Sequence, residues 1–94
     1  MQRSEDEVVA MGDYCEQLMR DDAFNSLCQE FSLQNALYIL RTEPHETKKR
    51  ESIYAANRAY SDFIGLMSEY VSRRDEIIKR NDQPSIPVDD VDDE

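Results

Sequence analysis

TKKRESIYAANRAYSDFIGLMSEYVSRRDEIIKR, residues 47–80, is the stretch from which the fold is read. Within it Ile53, Ala56, Tyr60, Phe63, Met67, Tyr70 and Ile77 recur at three- and four-residue steps, and Ile64, Val71 and Ile78 widen the stripe by one position. At 3.6 residues per turn these side chains share one side of a helix about nine turns long. Arg58, Asp62, Glu69, Arg73 and Glu76 take the other side. A stripe of this length is unstable in water, so the helices before it must be cut to cover it.

The end of that helix is signalled by Lys79 and Arg80 at the negative pole of its macrodipole, then by Asn81-Asp82 and Pro84. Its start follows the turn Arg41-Thr42-Glu43-Pro44-His45-Glu46, in which Thr42 is placed to cap and Pro44 fits the first turn of the new helix. Upstream, Ser4 with Glu7 three residues on forms a capping box, and Val8, Met11, Cys15 and Leu18 follow at helical spacing. Gly12 lies inside that helix at a cost of roughly 1 kcal/mol relative to Ala. It either permits a close helix approach or is a tolerated surface position. Asp21-Asp22 opens the next helix, which either folds back sharply on the first or runs on with a kink.

These signals predict an all-α fold of three helices at about 5–20, 22–41 and 45–80. The domain covers 1–81, is dominated by an antiparallel hairpin of the second and third helices, and is followed by an acidic disordered tail over 82–94. The third helix is the longest, so the first is expected to cover what the second leaves open.

The second helix departs from a single stripe. Phe24, Leu27, Cys28, Phe31 and Tyr38 face one way, while Leu33, Ala36, Leu37 and Leu40 fall on the far side by the 100° count. A helix apolar all round must be buried on two sides. Either the first helix covers the second face, or another copy or partner does; the first helix has one narrow stripe and cannot wrap both. Leu33, Leu37 and Leu40, with Tyr54 and Leu66 of the third helix, are therefore candidate partner-contact residues.

Charge supplies two further candidates. The net charge is −10, and residues 82–94 hold six acids and no base, leaving 15 acids against 11 bases elsewhere. That balance argues against direct nucleic-acid binding, which needs cations to neutralise phosphates. A basic cluster of Arg41, Lys48, Lys49 and Arg50, near Arg58, is either an anion or acidic-surface contact or a solvated helix face paired with Glu46, Glu51 and Asp62. In the tail, Asp89, Asp90, Asp92, Asp93 and Glu94 imitate a row of phosphates or simply solubilise the terminus, with Ile86, Val88 and Val91 interleaved as in a linear motif.

Catalytic chemistry finds no foothold. One histidine, His45, lies in a turn, and two cysteines on apolar stripes read as buried free thiols rather than metal ligands. Two glycines in total leave little room for a phosphate cradle. No enzyme, cofactor or metal is expected. With no run of ~18 apolar residues and a charged N-terminus lacking a secretory segment, no membrane partner is expected, and the cytoplasm is the expected location.

Leu18-Met19-Arg20-Asp21-Asp22-Ala23-Phe24, a long helix, Thr42 in a turn, Arg50-Glu51-Ser52-Ile53-Tyr54 and Ala59-Tyr60 together resemble a group of short acidic helical proteins. These are encoded among the head and packaging genes of tailed bacteriophages. The resemblance covers about residues 11–80 and departs in the Asp-rich tail and the absence of tryptophan. It implies a helical hairpin with a part in virion assembly or structure, located in the host cytoplasm or the virion, and it carries over no catalytic residues. The function expected is thus helix-mediated assembly, as a homo-oligomer or on a larger protein. The alternative is an acidic inhibitor of a host nucleic-acid enzyme, of the anti-restriction or anti-CRISPR type.

Overall fold

The computed structural model describes residues 2–82 as three helices, α1 (Glu5–Met19), α2 (Asp22–Leu40) and α3 (Thr47–Asp82). Of the expected tail, Asp82 instead closes α3, and residues 83–94 lie outside the described residues. Local chemistry sets the starts as anticipated. Ser4 Oγ accepts from the Glu7 backbone while the Glu7 carboxylate accepts from the Ser4 backbone, which closes the capping box on α1. The Asp21 carboxylate accepts from the Phe24 N–H at 2.8 Å and caps α2.

The turn before α3 departs from its sequence reading. Thr42 does not open α3; its hydroxyl donates to the Ile39 carbonyl at 2.7 Å and closes α2. Pro44 stays in the turn, and α3 starts at Thr47, because the Glu46 N–H is spent on the Glu43 carbonyl and the Glu46 carboxylate on the Glu43 N–H. Arg50 then reaches back from α3 and donates to the Thr42 hydroxyl and to the Glu43 and Pro44 carbonyls.

The second departure is in which helices pair most closely. The tightest seam joins α1 to the C-terminal half of α3, not α2 to α3. Along it Glu5 pairs with Arg80, Asp13 with Arg74, and Leu18 sits in a groove with Phe63 and Leu66, so the two chains run in opposite order. Along α2, Cys28 and Phe31 meet Tyr60, Asn35 meets Asn57 and Thr42 meets Arg50. The first helix therefore runs on into the second through a break at Arg20-Asp21, and both lie end to end along α3. At 1.5 Å per residue, 15 and 19 residues span about 50 Å, close to the ~54 Å of the 36-residue α3. As expected, α1 covers what α2 leaves open on α3. It does not cover the second face of α2.

Gly12 explains why α1 packs closer than α2. A Cβ there would lie 2.5 Å from the Arg74 Cβ and 2.8 Å from the Tyr70 carbonyl oxygen, so only hydrogen fits between the helices. Val8, Gly12, Cys15 and Met67 are buried along this seam. Its edge is tied by Arg74, whose guanidinium meets Asp75, Glu16 and Asp13. Those hydrogen bonds, Asp75 first, raise the arginine further above its ordinary value and keep it charged. Opposite α2 the spacing is set by bulk. The Phe31 and Tyr60 rings are 5.2 Å apart between centroids, and the buried residue of α2 is polar Asn35, which donates to Asn57 at 3.4 Å.

The two glycines should respond oppositely to alanine. Gly12→Ala gains about 1 kcal/mol of helix propensity but meets a backbone carbonyl, and overpacking of this kind costs about 1–3 kcal/mol. Gly65 has nothing within 4 Å of its absent Cβ, so Gly65→Ala keeps the full propensity gain. Thermal melts followed by circular dichroism should show a raised midpoint for Gly65→Ala and a lowered one for Gly12→Ala. An unchanged or raised midpoint for Gly12→Ala contradicts the close seam.

Candidate interaction surface

Two helices in cross-section cannot enclose a core, and the burial reflects this: Val8, Cys15 and Met67 are the buried apolar residues among those described. The apolar side chains left over are not scattered. Beside the α1–α3 seam, Met11, Tyr14 and Leu18 face Phe63, Leu66 and Tyr70 across an open groove of about 240 Å³ floored by Cys15 and Met67. Tyr70 closes its far end, receiving a hydrogen bond from Arg3 Nε at 3.1 Å and the Arg73 guanidinium 5.0 Å from its ring centre.

The groove continues along α2. Ser32, Ala36 and Ile39 line the opposite side of the molecule with Tyr54, Asn57 and Ser61. By the 100° count, Leu27, Phe31 and Tyr38 lie on the other shoulder of α2, and Phe63 and Leu66 on the other shoulder of α3 from Tyr54. Those shoulders meet on one flank, where Tyr14 is 59% exposed, Leu27 65%, Tyr38 49% and Phe63 55%. The opposite flank carries Asp13, Glu16, Ser32, Asn57, Ser61 and Asp75 beside Ala36, Ile39 and Tyr54, so one flank is apolar and the other mixed.

The five contact residues expected from sequence are all exposed, yet they do not form one surface. Leu66 belongs to the apolar flank, and Tyr54 lies across α3 from it beside Arg58. Leu33, Leu37 and Leu40 point away from α3 on the back of α2. Phe63 belongs to the apolar stripe of α3, and Tyr14 lies beside the stripe of α1. Helical spacing places them there but cannot say that they sit at the uncovered edge.

The basic cluster is divided as well. Arg50 is committed to the turn, and Lys49 lies 3.9 Å from Glu46, while Arg41 and Lys48 are exposed. Asp89, Asp90, Asp92, Asp93 and Glu94 lie outside the described residues. Among the described residues no group of three or more His, Cys, Asp or Glu is placed to hold a metal ion, and no helix is long and apolar enough to cross a membrane. His45 is exposed in the turn.

No protein-family model, curated protein or solved structure matches this chain.

Both cysteines are free, Cys15 buried beneath the groove and Cys28 half-buried beside Tyr60. Burial pushes the Cys15 thiol up, so little thiolate is present at mildly alkaline pH, and its access is blocked. A maleimide or disulfide reagent should modify Cys28 first and Cys15 only at the rate of α1 opening. Peptide mass mapping after partial labelling checks this order; labelling of Cys15 as fast as Cys28 would show that the seam is loose.

Proposed function

We propose that the protein works without catalysis, as a helical assembly element whose apolar flank is completed by a protein partner. The observation that carries this reading is the continuity of the flank. Tyr14, Leu18, Leu27, Phe31, Tyr38, Phe63 and Leu66 run beside both seams, while the other flank mixes polar and apolar side chains. Exposed patches of such size and order are uncommon on monomers and mark interaction sites. The flank carries Tyr14, Phe31, Tyr38 and Phe63, and aromatic side chains are the type that dominates binding energy. A part in virion assembly, which the resemblance to phage packaging proteins implies, would be one instance of this role. The alternative acidic-inhibitor reading depends on residues 89–94 and draws nothing from the flank.

The test is the size of the native protein in extracts of the cells that make it. The wild-type chain should elute in a complex well above its own 11.0 kDa, and a Leu27→Glu, Phe63→Glu double variant should elute as a free chain with its helicity retained. A wild-type chain that elutes free, or a variant that stays in the complex, overturns the assembly reading.

A further inference from the structure

We infer that the occupant of the apolar flank is a second copy of this chain, docked about a two-fold axis close to Phe63. The functional unit is then a dimer four helices in cross-section. This rests on the assembly reading above and names its partner.

Three observations lead to self-association. The first is the order of side chains. Tyr38 stands at one end of the flank and Tyr14 at the other, Leu27 and Leu18 lie inside them, and Phe63 is near the middle of the 36-residue α3. An isologous interface requires that each residue meet a partner that meets it in return. A flank that reads nearly alike from both ends meets this requirement when the copies run in opposite directions.

The second is area. Tyr14, Leu27, Phe31, Tyr38, Phe63 and Leu66 together leave roughly 600 Å² of side chain in water, at about 200 Å² for a fully exposed one. Specific interfaces bury about 800 Å² per partner, a little over half of it apolar, so this flank alone supplies what a stable dimer needs. The third is cross-section. Each level of the molecule has α3 beside either α1 or α2, and laying a second copy on the flank turns an open pair into the four-helix arrangement that encloses a core. The groove of about 240 Å³ between Tyr14 and Leu66 then receives a side chain of the partner copy.

The charge balance gives the test its sign. Each copy carries −10, so like copies repel, and salt should strengthen a dimer held by apolar contact. Light scattering on the purified full chain over a concentration series, at low and high salt, should give a mass near twice 11.0 kDa, with a tighter dimer at high salt. Phe63→Glu and Leu27→Glu should each halve the mass while the far-ultraviolet dichroism stays helical. Leu33→Glu, on the back of α2, should leave the dimer intact. A single-chain mass at every concentration overturns the inference, as do a larger closed oligomer and a dimer lost by Leu33→Glu but kept by Phe63→Glu. If the purified chain is monomeric yet the protein in extracts runs in a complex, the partner is another protein and only this inference fails. If both are free chains, the assembly reading fails with it.

Discussion

Everything in this molecule depends on covering one side of a 36-residue helix with two shorter ones. The stripe from Ile53 to Ile78 is continuous, so no break in α3 divides the work, and neither α1 nor α2 is long enough to do it alone. Laying them end to end solves the length. It also fixes the thickness of the molecule at two helices, and a pair of helices can bury only the row along which they touch. The exposed aromatic flank follows from this solution and is not an independent feature.

The two halves of the cover are held by different means. Along α1, Gly12 lets the backbones approach until a methyl group has no room, and Arg74 gathers three carboxylates across and beside the seam. Along α2 the helices are spaced by the Phe31–Tyr60 ring pair, and the contact is centred on two asparagines, Asn35 and Asn57. A polar pair in an otherwise apolar seam adds little net stability but disfavours other registers, since sliding would leave a buried amide unsatisfied. The α2 half has few buried apolar contacts, which places it at the low-stability end of the structure. It also carries Leu27, Phe31 and Tyr38, so the part of the cover least stabilised internally is a part that gains most from a partner.

What was legible in the sequence was periodicity and punctuation. The stripe of α3, the capping box at Ser4 and Glu7 and the cap at Asp21 are local signals, and the helices formed where they point. The starts of α1 and α2 follow the sequence because each cap depends on residues three apart, whereas α3 starts at Thr47, after a turn closed by Glu43 and Glu46. The pairing of helices was not legible in the same way. Amphipathic spacing gives each helix a direction but not a neighbour, and the neighbour was decided by Gly12, whose two readings the sequence left open. The grouping of Leu33, Leu37 and Leu40 with Tyr54 and Leu66 failed for the same reason. Tyr54 and Leu66 lie twelve residues apart and about 120° around α3, on either side of its outward face, so they belong to different flanks once α2 is in place. Thr42 illustrates a different limit, since a hydroxyl in a turn between two helices can serve either, and here it joins its own N–H on the Ile39 carbonyl.

A fold whose apolar surface exceeds what its own helices can cover links stability to association. Any species that binds the folded flank and not the unfolded chain shifts the folding equilibrium towards the native state by mass action. Since the flank runs beside both seams, an occupant touches α1, α2 and α3 at once, and the loosely held α2 is fixed by the same contact that completes the core. A helix docked on the opposite flank would gain less of this, because Asp13, Glu16 and Asn57 there are already paired with Arg74 and Asn35. The asymmetry between the flanks would thus give the proposed association a direction. It would also rank the surfaces, because among the described residues Leu33, Leu37 and Leu40 on the back of α2 make a smaller apolar patch than the flank.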